Sequence, residues 1–256
     1  MEVKRLGPEK DVALFVKNIF IFERAQNDGE TILPFFADGY PGLLFHVTPQ
    51  GQWVQPQNKR MPTSYIYGQT LMPIELHMKG SFRIIMFQLY PFVLSSFFNI
   101  DSKSLNNECF DLLKAPGWKN VEDKLLSTAG KGHEVEIIQT FLIQSFLHKK
   151  EQFDDSIVKA LKVIGSRKAQ ISVADLCDTL HVTVRTFERR FAKQVGITPR
   201  DFILITKFQQ SLEQLTVKDY SKLSDIVYAN GFSDQSHFIR VFKAFTGRTP
   251  KRFLSE

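Results

Sequence analysis

Residues 181–202, HVTVRTFERRFAKQVGITPRDF, have a second copy at residues 231–253, GFSDQSHFIRVFKAFTGRTPKRF. The offset is 51 residues within these stretches and 50 in the segments before them, so the second copy has one extra residue at a turn. Seven positions are identical at the offset of 51: Phe187/Phe238, Arg189/Arg240, Phe191/Phe242, Gly196/Gly247, Thr198/Thr249, Pro199/Pro250 and Phe202/Phe253. A repeat of this kind indicates two copies of one supersecondary unit.

The first copy is predicted to begin with a helix, a tight turn and a second helix. Ser172 is a suitable N-cap, and apolar residues then follow at helical spacing: Val173, Leu176, Cys177 and Leu180. His181 and Val182 form the turn, and Thr183 can cap the next helix. The pattern is typical of a helix-turn-helix unit.

The second helix of this copy is amphipathic. Its predicted core face contains Val184, Phe187, Phe191 and Val195, and its open face contains Arg185, Thr186, Arg189 and Lys193. Gly196 is placed to end the helix in a left-handed conformation. Thr198 and Pro199 are suited to start a long linking helix over residues 199–215.

The second copy has the same organisation. A short helix directs Leu223, Ile226 and Val227 inward, Gly231 supplies the turn, and Ser233 is the predicted cap of the following helix. That helix has a core face of Phe238, Val241, Phe242 and Phe245 and an open face of Ser236, Arg240 and Lys243.

Charge is concentrated in the repeated part of the chain. Residues 166–256 contain 15 Lys and Arg against 9 Asp and Glu, whereas residues 1–165 contain 18 of each. A basic segment favours a polyanionic partner. The second helix of such a unit fits the DNA major groove, where Arg reads guanine and Gln reads adenine. A plain helical bundle with solvated arginines is the structural alternative.

These two copies resemble the double helix-turn-helix of the AraC/XylS transcription regulators, over about a hundred residues. The resemblance implies two units on a long linking helix that enter successive major grooves of double-stranded DNA. By position it assigns base contacts to Arg185, Glu188 and Arg189 in the first unit and to Gln235, Ser236 and Arg240 in the second, with His237 alongside. We add Thr186, Lys193 and Lys243 from the open faces. His181 departs from the family pattern, which commonly has glycine there.

The N-terminal half has a different pattern. The runs PGLLFHVT, TSYIYGQT, PIELHMKG and FRIIMFQLY are typical of antiparallel strands, and HMKGSF predicts a hairpin with Gly80 in its turn. Helical spacing follows in PFVLSSFFNI, WKNVEDKLLSTA and HEVEIIQTFLIQSFLHKK. We therefore expect an α+β chain. Residues 1–150 would form a sheet-plus-helix domain and residues 155–256 an all-helical domain.

Residues 1–150 also resemble, more loosely, the cupin-like sensor domains that precede AraC-type units. The resemblance implies that this part binds a small effector, mediates homodimerisation, or does both, and that the chain is a regulator, usually an activator, which contacts RNA polymerase. A ligand-independent DNA-binding protein is the first alternative. A cupin-type metalloenzyme fused to a DNA-binding module is the second, with His46, His77 and Glu75 as its metal candidates.

No enzyme motif is evident in the sequence. It has no phosphate-binding glycine loop, serine elbow or cysteine–histidine pattern, so we expect neither a catalytic residue, a metal nor a cofactor. Cys109 and Cys177 are too few for a disulfide framework and are expected to be apolar fillers. The chain lacks a signal peptide and a membrane span of ~20 apolar residues, so we expect a cytoplasmic protein that does not bind membranes.

Overall fold

The computed structural model describes residues 1–25, 29–147, 154–166, 170–218 and 220–255. The chain divides into two compact units. The sheet unit contains residues 1–35, 40–70 and the chain from residue 74 through the last helix before residue 148. The helical unit contains residues 36–39, 71–73 and the chain from residue 154 onward. The predicted boundary, between residues 150 and 155, falls mostly in residues 148–153, outside the described residues.

The sheet unit contains ten strands among its described residues. They are β1 (Glu2–Leu6), β2 (Val16–Arg24), β3 (Glu30–Phe35), β4 (Gly42–Val47), β5 (Gln52–Gln55), β6 (Lys59–Arg60), β7 (Ser64–Tyr67), β8 (Ile74–Lys79), β9 (Phe82–Leu89) and β10 (Cys109–Asp111). The four predicted runs correspond to β4, β7, β8 and β9. Strands β1, β2, β3, β5, β6 and β10 were not predicted from the sequence.

The strands form two antiparallel sheets. One has six strands in the order β1-β2-β9-β4-β7-β10, and the other has four in the order β3-β8-β5-β6. Alternate residues of both sheets contribute to one core cluster: Leu33, Leu44, Val54, Met61, Tyr65, Leu76, Met78, Phe82 and Ile84. The sheets therefore pack face to face around shared apolar side chains.

The predicted hairpin at Gly80 is wrong. Gly80 does lie in a turn with a φ of 76°, but β8 pairs with β3 and β5 whereas β9 pairs with β2 and β4. Both strands direct apolar residues into the same cluster, Met78 from β8 and Phe82 from β9. Burying both faces requires the chain to cross from one sheet to the other at this turn.

The described part of the sheet unit also contains three helices, α1 (Phe92–Phe98), α2 (Trp118–Ser127) and α3 (Glu134–Leu147), and a 3₁₀ turn at Leu112–Lys114. Helix α3 buries Ile138, Leu142 and Phe146, which follow one another at intervals of four residues on one face of the helix. At its start the buried Glu134 accepts a hydrogen bond from the Gly130 amide at 2.6 Å and pairs with Arg83 of β9 at 3.2 Å. The helix is thus fixed to the larger sheet.

The helical unit contains α4 (Asp155–Ser166), α5 (Val173–Leu180), α6 (Val184–Val195), α7 (Pro199–Val217), α8 (Leu223–Ala229), α9 (Gln235–Thr246) and α10 (Pro250–Ser255). Helices α5 and α6 form the first predicted helix-turn-helix, and α8 and α9 form the second. No helix in the described ranges is both long and apolar enough to cross a membrane. An α+β chain with an antiparallel N-terminal part and a helical C-terminal part is confirmed.

Candidate nucleic-acid interface

The first unit begins with two capped helices. The Ser172 hydroxyl accepts a hydrogen bond from the Asp175 amide at 3.1 Å, and the Asp175 carboxylate accepts one from the Ser172 amide at 3.3 Å. This reciprocal capping box starts α5. Thr183 starts α6, because its hydroxyl accepts from the Thr186 amide at 3.4 Å. Both caps agree with the sequence prediction.

The turns of the two units share one hydrogen-bond pattern. The Val182 amide donates to the Cys177 carbonyl at 3.1 Å, and the Phe232 amide donates to the Val227 carbonyl at 3.0 Å. The residue before each donor has a positive φ: 54° at His181 and 68° at Gly231. His181 therefore adopts the left-handed conformation that glycine adopts freely in the second copy.

The cap of α9 differs from the prediction. Asp234, not Ser233, precedes the helix, and its carboxylate accepts a hydrogen bond from the His237 amide at 2.8 Å. This bond is the main reason that the pKa of the Asp234 carboxyl is lowered. Asp234 aligns with Thr183 at the offset of 51, so the extra residue of the second copy lies in the turn. Ser233 is left to donate to the Asp234 carboxylate at 3.0 Å.

The predicted open faces are largely exposed. The exposed members are Arg185, Arg189, Lys193, Gln235, Ser236, Arg240 and Lys243, and the half-buried members are Thr186, Glu188 and His237. The core faces contain Phe187, Phe191, Val195, Phe238, Val241 and Phe242, all buried. The prediction that Val184 lies on the core face is wrong. Val184 is 41% exposed, because it is the first residue of α6 and no helix turn precedes it.

One basic residue of α6 was missed in the sequence. Arg190 is exposed beside Arg189, and its guanidinium lies 3.7 Å from the carboxylate of Asp154. A helical wheel of α6 places Arg190 away from the core face, so its exposure could have been predicted from the sequence. Its partner lies 36 positions earlier, so the pairing itself could not be predicted from local spacing.

The linking helix α7 packs against both recognition helices, α6 and α9. Near its start, Phe202 meets Phe191 edge to face with ring centroids 5.8 Å apart. Two turns later, Phe208 meets Phe242 of α9 in the same manner at 5.6 Å. These four rings are fully buried. One continuous helix therefore packs against the buried sides of both α6 and α9, away from their basic faces.

Polar contacts join the second turn to the rest of the helical unit. The Lys207 ammonium of α7 donates to the Gly231 carbonyl at 2.9 Å, and burial lowers the pKa of this lysine. The Gln170 side chain, just before α5, donates to the Ala229 carbonyl at 2.9 Å. The Asn230 amide donates to Gln214 of α7 at 2.6 Å. The first two bonds satisfy backbone carbonyls at and just beyond the end of α8, and the third joins the Asn230 and Gln214 side chains.

The metal candidates of the sheet unit do not converge. Glu75 and His77 share one face of β8, where the His77 ring lies between Glu75 and Glu30 at 3.1 Å from each. His46 lies on β4 of the other sheet. Its Nε2 is 2.9 Å from the Pro62 carbonyl and its Nδ1 is 2.9 Å from the Thr48 hydroxyl, so both ring nitrogens have partners. Burial lowers the pKa of His46 to about 4.

A cavity of about 460 Å³ lies within the sheet unit. Its apolar lining comes from both sheets and includes Phe35, Leu44, Val54, Met61, Tyr65, Tyr67, Ile74, Leu76 and Met86. Its polar lining includes Gln57, Asn58, Lys59, Thr70, Asn107 and Glu108. This volume is in the range of small-molecule sites. The sequence pattern marked some of these residues, such as Leu44, Tyr65 and Leu76, as strand residues and did not indicate a cavity.

Two known domain families match this chain. Residues 176–256 match a family described as a helix-turn-helix domain, and residues 4–111 match a domain of unknown function, DUF6597. The first match covers α6 to α9, with both basic faces. Residues 176–256 are an AraC-type helix-turn-helix domain. The DNA-binding character predicted from the repeat is confirmed for this AraC-type domain.

Individual relatives agree with the AraC-type assignment. The chain is 24% identical over 186 residues to the probable transcriptional regulator LumQ of Photobacterium leiognathi, covering 67% of this chain and 71% of LumQ. It is 30% identical over 82 residues to the transcriptional activator RhaS of Yersinia pestis, covering 32% of this chain and 30% of RhaS. An uncharacterised transcriptional regulator of Staphylococcus aureus is 30% identical over 153 residues, which make up 54% of this chain and 20% of that regulator.

A solved structure of ToxT from Vibrio cholerae is similar over 100% of this chain and 99% of its own, with a TM-score of 0.49 and 12% identity.

Proposed function

We propose that this AraC-type chain is a sequence-specific transcription activator whose two helix-turn-helix units read one bipartite DNA site. The arrangement that carries the proposal is the pair of twelve-residue helices α6 and α9 on the common support of α7. Each buries phenylalanines and exposes an arginine at the same repeat position, Arg189 and Arg240. Two rigidly supported helices with basic open faces suit two successive major grooves.

The ten predicted DNA-binding residues fall into three roles in this proposal. Arg185, Arg189 and Arg240 contact guanine edges, Gln235 contacts adenine, and Ser236 and Glu188 complete the base contacts. Lys193 and Lys243, one turn further along each helix, hold phosphates. Thr186 and the half-buried His237 lie beside these contacts and orient their neighbours.

The two halves of the chain have different roles in the proposal. Residues 155–256 bind DNA, and residues 1–150 act as the sensor or homodimerisation domain. An effector changes DNA affinity only if it binds the DNA-competent state with a different affinity from the other state. The cavity between the sheets provides a site for such an effector. The bound protein then contacts RNA polymerase in the cytoplasm, as a regulator without catalytic activity of its own.

Selection of DNA by the purified full chain tests this proposal. The protein is mixed with random duplexes and competitor DNA at two salt concentrations, and the retained duplexes are sequenced. We expect a few sequences with a bipartite motif whose segments are separated by about one helical turn, ~10 base pairs. Uniform retention that disappears at high salt would mean non-specific phosphate binding and would contradict the proposal.

Matched variants connect the motif to the residues. Arg189→Ala and Arg240→Ala should each cost ~1 to 3 kcal/mol on the selected site and much less on random DNA. Lys124→Ala, which removes an exposed charge from α2 of the sheet unit, serves as the control and should bind as the wild type does. Equal losses on both DNAs would reassign the two arginines to phosphate contacts.

A further inference from the structure

The cavity of the sheet unit has two opposed walls whose residues are set by strand register. On the six-stranded sheet, Met86 pairs with Leu44, and Leu44 pairs with Tyr65, which makes one row across three strands. On the four-stranded sheet, Leu76 pairs with Val54. Paired residues on one face lie side by side. Each wall is therefore a continuous apolar surface made by neighbouring side chains of paired strands.

The space between these walls is unusual for a protein core. The same residues belong to the buried cluster that joins the two sheets, including Leu44, Val54, Tyr65 and Leu76. Protein interiors normally pack with few voids larger than a water molecule. The cavity of about 460 Å³ adjoins this cluster and opens toward solvent at its polar lining. A bound apolar molecule would add contacts to the apolar lining.

Polar groups in the wall already have protein partners. The Tyr65 hydroxyl donates to the Gln52 side chain at 2.8 Å, and both residues are buried. The Gln52 amide in turn contacts the Met78 sulfur at 3.7 Å. Burial raises the pKa of the Tyr65 phenol well above its usual value, so the wall stays neutral. A charged group placed deep in this space would lose its water shell without gaining a counter-charge.

The charged lining residues, among those the structure describes, are Lys59 and Glu108. Their side chains are 47% and 63% exposed, and the ammonium lies 3.5 Å from the carboxylate, so they neutralise each other at the mouth. The mouth is fixed by backbone bonds: the Gly68 amide donates to the Glu108 carbonyl at 3.0 Å, and the Asn107 amide donates to the Gln69 carbonyl at 3.0 Å. Asn58 and Thr70 add hydrogen-bonding groups there.

We propose that this cavity binds an uncharged, mostly apolar organic molecule with a ring-containing body and a hydrogen-bonding group at the Lys59–Glu108 mouth. The two methionines and three aromatic residues of the lining favour a polarisable body. The paired charges of the mouth favour neither an anion nor a cation. The role of this molecule as the effector rests on the proposed function.

A neutral fluorescent probe, N-phenyl-1-naphthylamine, tests the site in the full chain. We expect saturable binding of one probe per chain, seen as enhanced emission. Val54→Phe places a ring in the cavity and should weaken binding at least tenfold. Ile32→Phe makes a similar enlargement at an exposed position of the same four-stranded sheet and should change binding less than twofold. Equal binding by Val54→Phe and the wild type would overturn the assigned site.

The charge preference needs a second comparison. The anionic analogue 1-anilinonaphthalene-8-sulfonate should bind at least ten times more weakly than the neutral probe, and Lys59→Met should change neutral-probe binding less than threefold. Anion binding of equal strength that is lost in Lys59→Met would overturn the uncharged class. Thermal unfolding is recorded for each variant, and Ile74→Phe, at the start of β8, replaces Val54→Phe if the latter does not fold.

The DNA titration of the same samples separates the two proposals. Sequence-specific DNA binding without any probe binding would overturn the cavity proposal and leave the proposed function standing. Probe binding without sequence-specific DNA binding would overturn the proposed function and leave the cavity proposal standing. Probe binding that also changes affinity for the selected DNA supports both.

Discussion

The two helix-turn-helix units have the same fold but solve its turn differently. In the first, His181 takes a left-handed conformation and two residues separate the helix end from Thr183. In the second, Gly231 takes that conformation and four residues separate the end of α8 from Asp234. The hydrogen bond that closes the turn has nearly the same length in both. Backbone geometry is therefore kept while the side chains that support it change.

Their open faces differ in charge. Helix α6 has four cationic residues, Arg185, Arg189, Arg190 and Lys193, with Glu188 as its one carboxylate. Helix α9 has Arg240 and Lys243, with the neutral Gln235 and Ser236 near its start. Phosphate attraction is thus expected mainly from the first unit, and hydrogen-bond reading from both. We therefore expect the two units to contribute differently to DNA binding.

The largest expected effect comes from the aromatic support. Phe242 is fully buried and has ring contacts with Phe208, Phe238 and Phe253. Phe242→Ala should lower the free energy of unfolding by ~3 to 5 kcal/mol. Phe191→Ala, with two ring contacts in the first unit, is the matched variant and should cost less. Urea unfolding of the full chain measures both, and the reverse order would show that α7 supports α6 more strongly than α9.

The turns should respond in opposite directions. Gly231→Ala introduces a Cβ at positive φ, 3.2 Å from the Lys207 ammonium, and should destabilise by ~1 to 2 kcal/mol. His181→Gly relieves the left-handed strain and should stabilise by up to ~1 kcal/mol. Shifts of the thermal midpoint of the helical unit measure both changes. Destabilisation by His181→Gly would mean that its side chain, and not its backbone, supports the turn.

The two N-cap residues, Thr183 and Asp234, should also contribute unequally to the free energy of unfolding. Thr183→Ala should cost ~1 kcal/mol at most, because the hydrogen bond it removes is long at 3.4 Å. Asp234→Ala should destabilise more, since its bond is 2.8 Å and its charge faces the helix dipole. The Asp234 pKa is lowered on folding, so its contribution is present above the usual carboxyl pKa of 3.8 and is lost as the pH falls through the folded value.

Acid titration of stability checks this distinction between the caps. The difference between wild type and Asp234→Ala should shrink at low pH, whereas the difference caused by Thr183→Ala should not. Parallel pH profiles for the two variants would contradict the assignment of a charged cap to α9.

The smallest expected effect is a change in the salt dependence of DNA affinity. Lys193→Ala should weaken binding to selected and random DNA alike and reduce the slope of log affinity against log salt by about one. Ser236→Ala should leave the slope unchanged while lowering affinity for the selected site. An unchanged slope in Lys193→Ala would remove this lysine from the phosphate contacts.

Most of the helical unit could be predicted from the sequence because its signals are local. Caps, the glycine end of α6 and the phenylalanine stripes lie within a few residues of the features they determine. The errors lie where local signals compete. Ser233 and Asp234 are both good caps, and only the observed backbone decides for Asp234. Val184 fits the apolar stripe, but no preceding turn covers it.

The sheet unit shows the opposite case. Strands β8 and β9 are close in sequence, and their turn has the expected glycine, yet they belong to different sheets because both must bury apolar residues in one cluster. The cavity depends on which residues face each other across two sheets, and a strand pattern does not contain that information. The resemblance to a family supplied the function of the repeat but not the chemistry of this cavity.

The most direct test of the central claim, that each repeat reads its own part of one DNA site, is a double-mutant cycle between protein and DNA. Wild type, Arg189→Ala and Arg240→Ala are titrated with the selected site and with sites altered in either segment. The account predicts that each variant becomes insensitive to changes in one segment, a different one for each arginine, with coupling of ~1 to 3 kcal/mol. Additive losses for every pairing would contradict it.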